Sequence, residues 1–228
     1  MPFRIPFSDD RTYGTLRIDF GLMQASVENV IDNFMDSLHP PFIHAGLIYD
    51  DKKRNRLEIE VRPYRHPDGH WGVEGGYLGE PPPTQGLIGR IFADRSANTV
   101  VHEERYIAPS LTQAEYRIGA SQYLQSSHLF TPETPTRTRM YLLLRTKSRI
   151  PKIVSHLILR ALFTRLFRQD IRALELQQRA QEYSGNLPRA SSELDILSLT
   201  VIHFLREISE GKPQDAIRVK PQRYGACI

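Results

Sequence analysis

The sequence predicts an α+β fold: one antiparallel sheet with a long C-terminal helix laid on its face. Three observations carry this. Between about residues 45 and 146 the chain holds short apolar–polar alternating runs, cleanest in Leu57-Glu58-Ile59-Glu60-Val61, the period of a strand with one face buried. No helical segment separates these runs, so neighbouring strands are joined directly and pair antiparallel. Residues 151–183 then read as one long helix. A sheet with an apolar face needs a cover, and that helix is the element expected to supply it.

In chain order, residues 1–20 read as extended and of mixed polarity, punctuated by Gly14 and Gly21. Ser26 to His39 reads as a helix. Ser26 is the candidate N-cap, and Val27, Val30, Ile31, Phe34, Met35 and Leu38 give the i, i+3, i+4 apolar spacing. Pro40-Pro41 is expected to end that helix, because the residue before a proline is pushed out of the helical region. His66-Pro67-Asp68-Gly69-His70 reads as a hairpin turn, since Asp-Gly accepts positive φ. Glu80-Pro81-Pro82-Pro83 reads as a stiff connector. Further strands are expected at 87–93, 99–107, 111–118, 121–130 and 137–146. Pro151 suits the first turn of the long helix, and Gly185 and Pro188 lie past its end. A shorter helix is expected over 192–209, capped by Ser191 or Ser192 and stopped at Gly211-Lys212-Pro213. The polar residues 214–228 are expected to be loose. The domain division that follows is 1–210 as one functional domain and 211–228 as a tail.

Composition excludes several classes. The 228 residues are 40% hydrophobic and 25% charged, ordinary for a globular chain. A net charge of +4 is too small to argue for nucleic acid. Cys227 is the single cysteine. One thiol forms no internal disulfide and holds no iron–sulfur cluster or Cys-rich zinc site, so a reducing, cytoplasmic setting is expected. Residues 1–10 carry no apolar signal-peptide core, and no segment is long and apolar enough to span a membrane.

Two features point to chemistry. In Asp36-Ser37-Leu38-His39-Pro40-Pro41-Phe42-Ile43-His44, an acid and a histidine three apart share a helix face. A second histidine follows five residues on, beyond a double proline that would let its ring swing back toward the first. The alternative is a pair of surface histidines bracketing a helix end. The other feature is Asp170, whose neighbours on the long helix are Leu166, Phe167, Ala173 and Leu174. A carboxylate on an apolar stripe must be paired or bind a metal. A salt bridge to Arg165, Arg168, Arg172 or Arg179 is the alternative. Together His39, His44 and Asp170 have the composition of a 2-His-1-carboxylate facial triad, which leaves iron positions open to O₂ and substrate. Spacing alone leaves open whether they meet.

Residues 28–44, with Asn33, Asp36, His39 and His44 in the order Asn, then Asp-x-x-His-x-x-x-x-His, resemble the iron-binding segment of Rieske non-haem iron oxygenase α-subunits. Gln169 to Gln178 resembles the segment of that family carrying the acidic ligand, and is most similar to its single-component and monooxygenase branches. The resemblance covers roughly residues 15–210. It implies a helix-grip fold, related to START-like lipid-binding modules, in which a curved antiparallel sheet wraps a long C-terminal helix. It implies that His39, His44 and Asp170 ligate one Fe(II). Asp36 would bridge a Rieske-cluster histidine to His39, and Asn33 would be a polar neighbour of the iron. It implies hydroxylation, demethylation or oxygenation of an aromatic or other apolar cyclic substrate with O₂, in a homotrimer. The family's N-terminal Rieske domain, with its Cys-x-His and Cys-x-x-His pairs, is absent from this sequence. The [2Fe–2S] cluster is therefore expected on another domain or chain, fed by a ferredoxin or reductase. The competing expectation is a non-catalytic helix-grip module that binds a hydrophobic ligand.

Other candidates are weaker. His66 and His70 flank a turn, and His102, His128, His156 and His203 have no partner spacing. Trp71, Tyr77, Phe92, Tyr123 and Phe130 read as core, some of them lining an apolar cavity. From Arg137 to Arg179 there are eleven basic residues against Asp170 and Glu175. This reads as a solvated face, with docking of an acidic redox partner as the alternative.

Overall fold

A computed structural model of the chain describes residues 10–36, 38–44, 47, 56–80, 92, 100–185 and 191–227. Eight strands among them form one antiparallel sheet: β1 (Gly14–Met23), β2 (Arg56–Arg65), β3 (Trp71–Leu78), β4 (Val100–Ile107), β5 (Leu111–Ile118), β6 (Gln122–Thr134), β7 (Arg137–Lys147) and β8 (Gln222–Cys227). Their order across the sheet is β1-β7-β6-β5-β4-β3-β2-β8. Strands β2 to β7 follow one another across the sheet as a meander. The β2–β3 turn uses Gly69 at φ 92°, with the His66 amide donating to the His70 carbonyl at 2.7 Å. Of the strand expected at 87–93 only Phe92 is described, and it is helical rather than extended; the other residues, like the proline run 81–83, lie outside the described residues.

Alternation assigns the two faces. Val61, Val73, Val100, Tyr106, Leu124, Phe130, Leu142 and Ile18 lie on the inner face and belong to the main apolar core. The outer face carries a charge lattice in which Arg105, only 8% exposed, meets Glu74, Glu103 and Glu115.

Among the described residues, three helices share the inner face: α1 (Val27–Met35), α3 (Lys152–Tyr183) and α4 (Ile196–Ser209). The 32-residue α3 turns Leu159, Phe163, Phe167 and Leu174 to the core and packs at the β1 side of the sheet. It is not the whole cover. α1 lies over β4 to β7, and α4 lies over β3. α1 is clasped to α3 by amides: Asn29 donates to Gln178 at 3.0 Å and to Gln181 at 2.8 Å.

Several boundaries differ from expectation. Ser26 does cap α1, accepting from the Asn29 amide at 3.2 Å. But α1 ends at Met35, not at Pro40-Pro41. The prolines instead sit in the first turn of a short helix α2 (His39–Ile43), where their missing N–H groups would have had no helical partner anyway. The cap of α4 is Asp195 rather than Ser191 or Ser192; Ser192 instead donates to the Asp195 carboxylate at 2.6 Å. Residues 214–227 are not loose. Gln214–Ala216 forms a 3₁₀ turn whose Gln214 side chain accepts from the Trp71 amide, and β8 pairs with β2 from Arg56↔Cys227 to Val61↔Gln222.

Candidate metal centre

The local backbone around His39 and His44 is set by a break in the helix. Asp36 is extended at φ −83°, ψ 106°. Its carboxylate Oδ1 accepts the Leu38 amide at 2.8 Å, a side-chain turn that competes with helix continuation. Asp36 and His39 therefore do not share a helix face, as their spacing suggested. The His39 Nδ1 instead lies 2.7 Å from the Asp36 main-chain carbonyl. His39 opens α2 and His44 caps its end. Their rings lie 5.4 Å apart and nearly perpendicular.

Asp170 comes from the buried stripe of α3 and is 1% exposed. Its Oδ1 lies 3.2 Å from His44 Nε2 and 3.7 Å from His39 Nε2. It also accepts from the Asn33 side-chain Nδ2 at 3.4 Å. One donor atom from each of His39, His44 and Asp170 lies within 4.8 Å of the others. Both imidazoles are held from behind: His39 by the Asp36 carbonyl, His44 by Gln169 Oε1 at 3.1 Å. A carbonyl oxygen only accepts, so each Nδ1 donates and each neutral ring turns an Nε2 lone pair toward the carboxylate. Three acceptors then converge, an arrangement that a proton or a cation must hold together. Among the described residues, Asp170 Oδ2 is buried with no hydrogen-bond partner, which costs free energy unless a cation takes it. The donor set of two imidazoles and one carboxylate suits iron of the non-haem type. No arginine pairs with Asp170 among the described residues; Arg165, Arg168 and Arg172 are exposed on the other side of α3.

Burial would lower the His44 pKa, but the hydrogen bond and charge of Asp170, with Gln169, hold it above the ordinary value. Burial raises the Asp36 pKa, and the Leu38 amide and His39 offset only part of this. Beside the three donors lies His128 on β6. It is buried, packed on Phe34 with ring centroids 4.5 Å apart at a 33° tilt, and held by the Thr112 hydroxyl at 2.9 Å. Desolvation pushes its pKa down to about 3, so it is neutral.

Residues 23–209 match the family model for the vanillate O-demethylase oxygenase C-terminal domain. The chain belongs to that family. It is thus a C-terminal catalytic domain of the Rieske oxygenase type, and its fold agrees with solved relatives. Pseudomonas putida CBB5 NdmA with caffeine superposes with a TM-score of 0.67 at 17% identity, over 97% of this chain and 60% of that one. Dicamba monooxygenase bound to 3,6-dichlorosalicylic acid gives 0.65 at 18% identity, over 92% and 62%. Pseudomonas putida CBB5 NdmB gives 0.62 at 16%, over 98% and 60%. The Rieske oxygenase C-terminal domain described here therefore spans about 60% of the length of these relatives. No curated protein sequence matches it.

The site contains two residues without a sequence signal of their own. His128 and Thr112 lie opposite one another on β6 and β5, and only strand register brings them under α1. Gln169 was visible only as the residue before Asp170. His66, by contrast, sits near Asp68 at 3.4 Å inside its turn and joins no metal-binding group among the described residues.

Proposed function

We propose that this chain is the oxygenase domain of a Rieske-type enzyme and holds one Fe(II) on His39, His44 and Asp170. The carrying observation is the convergence of two Nε2 atoms on a buried carboxylate with one orphaned oxygen. Bound Fe(II) would supply O₂ activation for hydroxylation, demethylation or oxygenation of an aromatic or other cyclic substrate. The electrons would come from a Rieske [2Fe–2S] centre on another domain or chain, reduced by a ferredoxin or reductase, since a single cysteine provides no cluster ligands here.

The remaining residues have positioning roles. The Asp36 carbonyl and Gln169 fix the ring orientation and tautomer of the two histidines. Asn33 holds Asp170 Oδ1 toward them. The Asp36 carboxylate, partly exposed beside His39, is the group through which a neighbouring Rieske histidine would approach. Phe34, Phe130 and Phe167 pack round His128 and keep water from the inner side.

The test is iron content after anaerobic reconstitution with Fe(II). One iron per chain, lost in Asp170→Ala and in His39→Ala, is expected. Iron retained in both variants, or none in the wild type, would refute the ligand assignment.

A further inference from the structure

On the inner face, strand register sets three rows side by side across the central strands. One row is His128, Thr112, Tyr106 and Val73. The next is Ser126, Ala114, Glu104 and Gly75. The third is Leu124, Tyr116, His102 and Tyr77. The middle row is made of small side chains apart from Glu104. At its far end Gly75 is closed by Leu197 of α4, whose methyl would meet a Cβ there at 2.6 Å. β4 and β5 are the two central strands of the sheet, where an inner-face residue under a complete helix layer would be buried. Yet Ala114, Glu104 and Tyr116 are all half-buried. The middle row is therefore the floor of an open trough between two taller rows.

One wall of the trough is an aromatic stack. His102 lies 3.9 Å from the Tyr77 ring and 4.1 Å from Tyr116, nearly parallel to both. Its edge meets Glu80 and, at 3.6 Å, Glu104 Oε1. Glu104 Oε2 accepts from the Tyr77 hydroxyl at 2.6 Å. The facing wall is His128, backed by Phe34. From strand spacing of about 4.8 Å and a rise of about 3.3 Å per residue, the Glu104 and His128 backbones are roughly 12 Å apart. That matches the length of a one- or two-ring molecule. The two carboxylates of Glu80 and Glu104 outnumber the single His102 imidazolium, whose pKa those carboxylates push up to about 9 against desolvation. Among the described residues, the stack end of the trough thus carries one net negative charge.

We propose that this trough receives the substrate, and that Glu104 selects cyclic molecules carrying a protonated amine or similar hydrogen-bond donor over those carrying a carboxylate. The proposal rests on the oxygenase reading of the chain, and Glu104 acts on specificity rather than on the reacting atoms. A cation at that end would be paired with Glu104, while a carboxylate there would face a like charge in a desolvated site.

The experiment compares 4-methoxybenzylammonium with 4-methoxybenzoate, one ring and two opposite charges, by calorimetric titration of the full chain at pH 7. The ammonium compound is expected to bind at least about tenfold more tightly. Glu104→Gln, which still accepts from Tyr77, is expected to bring the two affinities within about threefold. Ala114→Leu fills the floor without changing charge and is expected to weaken both ligands. Equal affinities, a preference for the carboxylate, no binding of either, or a preference that survives Glu104→Gln would overturn the proposal. So would unchanged binding in Ala114→Leu. Iron content of the same samples separates the two readings. A chain that loads iron but shows no preference loses only this inference, and one that shows the preference without iron loses only the metal assignment.

Discussion

Asp36 holds His39 through its backbone: the His39 Nδ1 lies 2.7 Å from the Asp36 main-chain carbonyl, while the Asp36 carboxylate accepts the Leu38 amide. Ring orientation and charge at this position are therefore separable. In Asp36→Asn the carbonyl is unchanged and the side-chain amide oxygen can still accept from Leu38. Iron stoichiometry is expected to stay near the wild-type value, while turnover supported by a Rieske donor falls at least about tenfold. Iron analysis alongside single-turnover kinetics checks this. Loss of iron in Asp36→Asn would show that the carboxylate itself holds the metal site.

Where His44 is neutral, Asp170 is expected to oppose stability when no cation is bound, because Oδ2 is buried with no partner among the described residues and two imidazole nitrogens face Oδ1. Asp170→Asn is expected to leave the metal-free protein as stable as wild type or about 1 kcal/mol more stable. It should also abolish the rise in Tm that Fe(II) gives the wild type. Thermal melts with and without Fe(II) read both effects. A large loss of stability in the metal-free variant would assign Asp170 a structural role instead.

His102 sets an alkaline limit. Its folded-state pKa of about 9 lies above the unfolded value near 6.5. Its stabilisation is therefore fully present below about pH 6.5 and is lost as the pH rises through about 9. Up to about 3 kcal/mol is expected to disappear across that window. The urea midpoint should fall from pH 7 to pH 9.5 in the wild type and change much less in His102→Gln.

His128 acts in the opposite direction. Its folded pKa is depressed to about 3, so between about pH 6.5 and 3 the unfolded chain binds a proton that the folded chain does not. Stability then falls as the solution is acidified, by about 3 kcal/mol at pH 4. His128→Gln should flatten this acid limb in urea titrations between pH 7 and 4. An unchanged slope would mean that His128 protonates without unfolding.

Arg105 is the hub of the outer-face lattice, bonded to Glu74, Glu103 and Glu115 with a side chain 9% exposed. Arg105→Met leaves three carboxylates crowded and is expected to cost about 3 kcal/mol or more. Arg62→Ala, at a side chain 43% exposed on the rim of the same lattice, is expected to cost less than about 1 kcal/mol. Urea denaturation of the two variants gives the comparison.

The sequence by itself determined the element order and most of the chemistry. Alternation at Leu57–Val61, the Asp68-Gly69 turn, the Ser26 cap and the span of α3 are local properties, written in neighbouring residues. The Asp36, His39, His44 and Asp170 types were legible for the same reason. Tertiary structure alone decided that Asp170 meets the two imidazoles rather than an arginine of its own helix, because burial of α3 turns Leu166, Asp170 and Leu174 inward and the arginines outward. It also decided that Asp36 grips His39 by a carbonyl. A proline pair reads equally well as the end of one helix or the first turn of the next, and only packing distinguishes them. His128, Thr112, Glu104 and Ala114 had no signal in the sequence. Their neighbourhood is created by strand register across β4, β5 and β6, and residues 10 to 16 positions apart become neighbours only when the sheet forms.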